Sequence, residues 1–138
     1  MSHTVLIADD SLLIREALRK IFEQEEDFEV CGEADNGREA INKARELHPD
    51  LILLDLAMPV MNGLDATRVL KRVMPEVPVI MFSMYSDSST EKEARSAGVA
   101  ALVSKFEHIS VLLGKARSAL KARELRAFKP LSASGGQS

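Results

Sequence analysis

The stretch Leu51-Ile52-Leu53-Leu54-Asp55 decides the fold of this chain. Four consecutive large apolar residues, bounded by His48-Pro49-Asp50 and by the loop 56–63, predict a short strand that is buried on both faces. Strands of this kind belong to parallel sheets with helices on both sides. Asp55 ends the strand, and reactive groups in open α/β sheets collect just beyond the carboxyl ends of the strands. Asp55 is therefore the first candidate site residue.

Length and composition set the class of protein. A chain of 138 residues with 46% hydrophobic and 28% charged residues fits one globular domain. A net charge of −3 gives no general attraction to nucleic acid or to anionic membranes. The apolar runs are strand-length and the first residues lead directly into one of them, so we expect a cytoplasmic protein. Cys31 is the single cysteine, which excludes a disulfide or a thiolate metal site within the chain.

Strand and helix patterns alternate along the whole chain, which predicts an α/β fold with a parallel sheet and right-handed crossovers. The predicted strands are 5–8, 28–31, 51–55, 79–83 and 101–104. The predicted helix starts are Ser11, Asn36, Asn62 and Ser88, and the last helix runs from about Ile109 to Phe128. In the first helix we expect Arg15 and Arg19 on the solvent side. We expect one domain over 1–128 and a disordered Ser/Gly-rich tail over 129–138.

Chemically active side chains follow four of these strands. Asp9 and Asp10 follow the first, Asp55 ends the third, Ser83 ends the fourth and Lys105 follows the fifth. If the strands lie side by side, all of these groups meet at one edge of the sheet. Three carboxylates and one ammonium sum to −2, and two like charges about 4 Å apart repel by about 4 kcal/mol at a dielectric constant near 20. Such a cluster either raises the pKa of a carboxyl or recruits a cation, and oxygen ligands with room for water and phosphate favour Mg²⁺.

Each of these side chains also has an ordinary structural explanation when it is taken alone. Asp9-Asp10-Ser11 fits a helix start, and Lys105 fits a solvated lysine. Solubility and helix capping give no reason for all of them to lie at successive carboxyl-terminal strand ends. The joint placement therefore favours a functional site.

This constellation, together with Met58-Pro59 and Asn62-Gly63 after the third strand, resembles the receiver domain of bacterial two-component response regulators. The resemblance covers about residues 4–122. It implies a flavodoxin-like (CheY-like) doubly wound sheet of five parallel strands in the order 2-1-3-4-5, with five helices. It also implies that Asp55 accepts a phosphoryl group from the phosphohistidine of a sensor histidine kinase.

The resemblance implies a role for each site residue. Asp10, Asp55 and the backbone carbonyl of Ala57 would ligate Mg²⁺, and Asp9 would act through bound water. Ser83 and Lys105 would hold the phosphoryl oxygens, with Met84 beside them in the switch region.

This chain departs from the usual pattern of the family at three positions. Leu102 stands where most members have Tyr or Phe in the fifth strand, and Phe106 stands where the lysine is usually followed by Pro. Met84 is bulkier than the usual Ala or Gly. Leu102 and Phe106 are therefore the candidates for an altered output mechanism.

Two other functions fit parts of the pattern. A Mg²⁺-dependent phosphohydrolase of the haloacid dehalogenase type also forms an aspartyl phosphate, but it needs a second Asp two residues later, where this chain has Ala57. We therefore expect no enzyme activity beyond slow self-phosphorylation and self-dephosphorylation. A flavin-binding protein of the same fold would need phosphate donors after the first strand, where two carboxylates lie instead.

The sequence leaves the output partner open. Residues 83–89 resemble receivers that are fused to a LuxR-type DNA-binding module, which this chain does not contain. The chain is then either a stand-alone receiver or a fragment of a longer protein that carries such a module. Pairing with a second copy is the other candidate for the output. We expect neither membrane binding nor direct nucleic-acid binding by this domain.

Overall fold

The computed structural model describes residues 2–84 and 87–137, with side chains as far as residue 127. Five strands and five helices alternate along this part of the chain. The strands are β1 (His3–Ala8), β2 (Phe28–Ala34), β3 (Leu51–Asp55), β4 (Val79–Ser83) and β5 (Ala101–Ser104). The helices are α1 (Leu12–Glu23), α2 (Gly37–Leu47), α3 (Gly63–Val73), α4 (Ser88–Ala97) and α5 (Ile109–Gln137). None of the helices in the described ranges has the length and apolar character that crossing a membrane requires.

The five strands form one parallel sheet in the order β2-β1-β3-β4-β5, which confirms the predicted fold class. The register aligns the carboxyl ends of the strands. Ala8 pairs with Leu54, and Asp55 pairs with Phe82. The loops after β1, β3, β4 and β5 therefore leave the sheet at one edge.

Alternation along the central strands builds two separate apolar cores. Leu51 and Leu53 of β3 face α1 and α5, where Phe22 is fully buried. Ile52 and Leu54 face α2 and α3. Because both faces are covered, every residue of β3 is buried, as its unbroken apolar run predicts. The end of β3 is thus held from both sides.

Three of the four predicted helix starts are confirmed, and one is wrong by one residue. Ser11, Asn36 and Asn62 accept hydrogen bonds from the backbone N–H groups three residues later. The cap of α4 is Asp87 rather than Ser88, and its carboxylate accepts from Thr90 at 2.8 Å. Asp competes well for this position because its side-chain oxygen reaches the first free N–H groups and its charge suits the helix dipole.

The last helix is longer in the structure than the sequence predicts. α5 continues to Gln137, whereas the periodicity of apolar residues ends near Phe128. The side chains beyond residue 127 lie outside the described part of the chain. The boundary of the domain at residue 128 stays a prediction.

We predict that Gly63→Ala destabilises the fold by about 1–3 kcal/mol. A Cβ atom at Gly63, the first residue of α3, would lie 2.2 Å from the carbonyl oxygen of Asp55. Backbone atoms cannot turn aside as a flexible side chain can. Urea denaturation followed by circular dichroism measures the free energy of unfolding.

Gly114→Ala is the matched control, because a Cβ atom there meets nothing within 4 Å. Gly114 lies inside α5, so alanine should stabilise the protein by about 0.5–1 kcal/mol through its higher helix propensity. Equal stability of Gly63→Ala and the wild type would show that the contact between α3 and β3 is not tight.

Candidate functional site

Three carboxylates converge at the edge of the sheet where β1 and β3 end. Ligand oxygens of Asp9, Asp10 and Asp55 all lie within 4.8 Å of one another. Asp9 and Asp55 are 1% and 5% exposed, whereas Asp10 is exposed to solvent. The cluster therefore has a buried floor and one open side.

Lys105 places its ammonium group between the two buried carboxylates. Its Nζ lies 2.9 Å from Oδ2 of Asp9 and 3.2 Å from Oδ1 of Asp55. The same Nζ lies 5.7 Å from the centre of the Phe82 ring, within range of a cation–π interaction. The backbone N–H of Lys105 donates to the carbonyl of Ser83 at 2.8 Å, which fixes the end of β5 against β4.

Burial is the main cause that raises the pKa of the Asp55 carboxyl above its usual value, and the charge of Asp9 raises it further. Lys105 and the N–H of Ala57 lower this pKa without cancelling the rise. For Lys105, burial lowers the pKa, but the hydrogen bond to Asp9 and the charges of Asp55 and Asp9 outweigh burial and raise it. Lys105 thus stays protonated among carboxylates that repel one another.

Arg15 is a neighbour of the cluster that the sequence prediction missed. Its Nη1 donates to the backbone carbonyl of Asp9 at 2.6 Å, and its Nε donates to Glu33 at 3.0 Å. The prediction of a solvent-facing Arg15 is therefore wrong, because β2 carries a carboxylate to the same side. The pairing depends on the register of β1 and β2, which the sequence pattern does not reveal. Arg19 also contacts Glu33, at 2.7 Å, and remains partly exposed.

The remaining predicted site residues occupy different depths. Ser83 is buried at the end of β4, and Leu102 is half-buried in β5. Met84 and Phe106 are 56% and 77% exposed and flank the open side of the cluster. Residues 85 and 86, which belong to the segment that resembles LuxR-type receivers, lie outside the described residues.

The donor set fits a hard divalent cation. All three side chains offer oxygen, and with Lys105 their formal charges leave −2 for a cation to balance. Lys105 and the N–H of Ser11 already occupy the two carboxylate oxygens of Asp9, at 2.9 Å each. Asp10, whose carboxylate is exposed, and Asp55 are therefore the favoured side-chain ligands.

One known protein family matches most of this chain. The family model of the response regulator receiver domain matches residues 5–117. This chain belongs to that family. The receiver domain is 37% identical to the transcriptional regulatory protein LnrK of Bacillus subtilis over 101 residues, which is 73% of this chain and 46% of LnrK. The chain thus spans about half the length of this curated relative.

Solved structures show the same fold. A LuxR-family two-component response regulator from Aurantimonas superposes with a TM-score of 0.85 at 27% identity, over 89% of this chain and 88% of that one. The response regulator domain of Thermotoga maritima CheB superposes with a TM-score of 0.82 at 32% identity, over 88% of this chain and 98% of that one. As a receiver domain, the chain is a signalling module of two-component systems.

We predict that Asp55→Asn raises the free energy of unfolding at neutral pH in the presence of EDTA. The substitution removes one of three mutually repelling carboxylates from a buried position, and the raised pKa of Asp55 shows that folding disfavours its charged form. Urea denaturation measures the effect. Asp65→Asn, at an exposed ion pair with Arg68, serves as the control and should change stability little. Destabilisation by Asp55→Asn would mean that the attraction of Lys105 exceeds the repulsion.

Proposed function

We propose that this receiver domain is a phosphoacceptor switch. Asp55 accepts a phosphoryl group from the phosphohistidine of a sensor histidine kinase in a Mg²⁺-dependent reaction. The observation that carries the proposal is the position of Asp55, buried at the end of β3 against Lys105 and beside the exposed Asp10.

The chemistry requires Asp55 to act as the nucleophile. One carboxylate oxygen attacks phosphorus, the bond from phosphorus to the histidine nitrogen breaks, and the nitrogen keeps the electron pair. The nucleophile and the phosphoryl oxygens are all negative, so catalysis depends on positive charge at the site. Lys105 supplies one such charge 3.2 Å from the carboxylate.

Asp10, Asp55 and the backbone carbonyl of Ala57 would hold Mg²⁺, with Asp9 acting through water. When bound, Mg²⁺ supplies charge neutralisation for the carboxylates and the phosphoryl oxygens. Asp9 is suited to an indirect role because Lys105 and the N–H of Ser11 already use both of its carboxylate oxygens.

Phosphorylation would change the charges and hydrogen-bond acceptors around Lys105. In this structure its ammonium is shared between Asp9 and Asp55, at 2.9 and 3.2 Å. A phosphoryl group on Asp55 adds negative charge and acceptor oxygens, so we propose that Lys105 and the Ser83 hydroxyl bind these oxygens. The N–H of Lys105 is bonded to the carbonyl of Ser83, and this link couples the ends of β4 and β5. The equilibrium between two conformations of the segment that leads to α4 then shifts.

Exposed apolar side chains around the acidic cluster support a protein as the phosphoryl donor. Leu12 and Leu13 at the start of α1 are 57% and 78% exposed, and Val60 in the loop after β3 is 76% exposed. These three residues, Met84 and Phe106 all lie in segments that follow the carboxyl ends of strands, and we name this set of exposed residues the apolar rim. Val60 has a positive φ of 68°, which is strained for a β-branched residue. A small-molecule donor needs no such surface, whereas a docking protein does.

The output surface of the proposed switch is formed by α4, β5 and α5, and Leu102 lies in it in place of the usual aromatic. A groove of about 640 Å³ runs between these elements and the end of α3. Four positive side chains line it against one negative side chain: Lys71, Arg95, Lys115, Arg126 and Glu91. The charge favours an output partner with an acidic surface, whether this is a further domain, another protein or a second copy.

We predict that incubation with acetyl phosphate and Mg²⁺ adds one phosphoryl group to the wild-type protein. Intact mass spectrometry should show no gain for Asp55→Asn or when EDTA replaces Mg²⁺. Asp65→Asn, which removes an exposed carboxylate that pairs with Arg68 and does not belong to the cluster, should be phosphorylated like the wild type. A mass gain that persists in Asp55→Asn would place the acceptor elsewhere. If neither acetyl phosphate nor the phosphoryl analogue beryllofluoride engages the wild type, the switch function is excluded.

We predict that Leu13→Glu slows phosphotransfer from an autophosphorylated sensor kinase about tenfold and leaves phosphorylation by acetyl phosphate unchanged. The kinase is selected from a panel by the fastest transfer to the wild type. Leu125→Glu is the control, because Leu125 is 60% exposed on α5 and does not belong to the apolar rim. Equal transfer rates for Leu13→Glu and the wild type would remove the apolar rim as the docking surface.

A further inference from the structure

Arg15 links the end of β1 to the edge strand β2. Its side chain is only 15% exposed, although it lies in the first turns of a surface helix. Nη1 donates to the carbonyl of Asp9 at 2.6 Å, and Nε donates to Oε1 of Glu33 at 3.0 Å. Glu33 is itself anchored by Arg19 at its second oxygen, at 2.7 Å. One guanidinium is thus held in a fixed position against the main chain of the acidic cluster.

Each polar group of Asp9 has a protein partner. Its N–H donates to the carbonyl of Ala34 at 3.0 Å. Oδ1 accepts from the N–H of Ser11 and Oδ2 accepts from Lys105, both at 2.9 Å. Arg15 provides the donor to the remaining group, the backbone carbonyl. A buried carbonyl without a donor costs about 1–3 kcal/mol, so this contact determines how the peptide is oriented.

The carbonyl in question belongs to the peptide that joins Asp9 to Asp10. The carboxylate of Asp10 is exposed and forms no hydrogen bond or ion pair with any other described residue. Its rotamer is therefore not fixed by a partner, and the backbone decides only which positions the carboxylate can reach. A displaced Asp9–Asp10 peptide would move the Cα atom of Asp10 and with it the positions that its carboxylate can reach.

We infer that Arg15, held by Glu33, is a positioning residue that aims the Asp10 carboxylate at the divalent cation. This inference rests on the proposed metal site, and it adds a residue outside the ligand set to that site. Outer residues of this kind orient ligands through hydrogen bonds, and their loss commonly weakens metal binding about 10-fold or more.

Charge alone predicts the opposite effect. A guanidinium beside the cluster repels a divalent cation, so a neutral side chain at position 15 would strengthen binding if electrostatic repulsion were dominant. The ion pair with Glu33 offsets this repulsion and leaves the hydrogen bond to Asp9 as the main contribution. The sign of the change in affinity therefore distinguishes positioning from charge.

The test is the Kd of Mg²⁺ for the full chain, measured by isothermal titration calorimetry. We expect Arg15→Gln to raise the Kd about tenfold and Arg15→Lys, which keeps one donor, to lie between it and the wild type. Arg19→Gln is the matched control. It loses an ion pair to the same Glu33 but has no contact with Asp9, so its Kd should equal that of the wild type. Urea denaturation in EDTA verifies that every variant is folded.

A Kd for Arg15→Gln equal to or below that of the wild type would overturn the inference and leave the metal site intact. If the wild type itself does not bind Mg²⁺, the proposed function and this inference both fail. Should Arg15→Gln not fold, Arg15→Lys replaces it, because lysine keeps the positive charge but lacks the guanidinium that donates to both Asp9 and Glu33. Arg15→Lys is then expected to raise the Kd, and a Kd equal to that of the wild type would refute the positioning role.

Discussion

Repulsion among three carboxylates around a single ammonium group is the constraint on which the rest of this structure depends. Lys105 lies within 3.2 Å of both buried carboxylates and cannot neutralise all three. A surface loop would relieve such repulsion by moving its side chains into water. Here β1 and β3 are buried in two cores, and the close approach of Gly63 to the carbonyl of Asp55 holds the end of β3 in place. The apolar scaffold therefore holds carboxylates in a repulsive arrangement that a bound cation would relieve.

The residues that stabilise the fold are separate from the residues of the proposed site. The two cores lie on opposite faces of the sheet, and their largest members are fully buried. The site and the apolar rim lie at one edge of the sheet. The side chains of Leu13 and Phe106 are exposed there and belong to neither core. This arrangement explains how large apolar side chains and a strained Val60 are tolerated beside the acidic cluster.

The residue two positions after Asp55 distinguishes this receiver domain from phosphohydrolases of the haloacid dehalogenase type. Such a phosphohydrolase would need a proton donor beside the phosphorylated aspartate, and this chain has Ala57 there. The neighbouring groups that are in place are Lys105, 3.2 Å from the Asp55 carboxylate, and the buried Ser83. In the proposed switch these two groups would bind the phosphoryl oxygens.

Local sequence patterns predict the five strands in their order, although β1 starts earlier and β2 ends later than predicted, at His3 and Ala34. They also predict three of the four helix caps, the alternation that requires a parallel sheet, and the placement of acidic and basic side chains at the ends of the strands. The contact of Arg15 with Asp9 and Glu33 appears only in the folded chain, since it depends on the register between β1 and β2. The same holds for the sharing of Lys105 between Asp9 and Asp55 and for the apolar rim. Periodicity shows which residues are buried, but long-range pairing of charges is fixed only when the strands are packed.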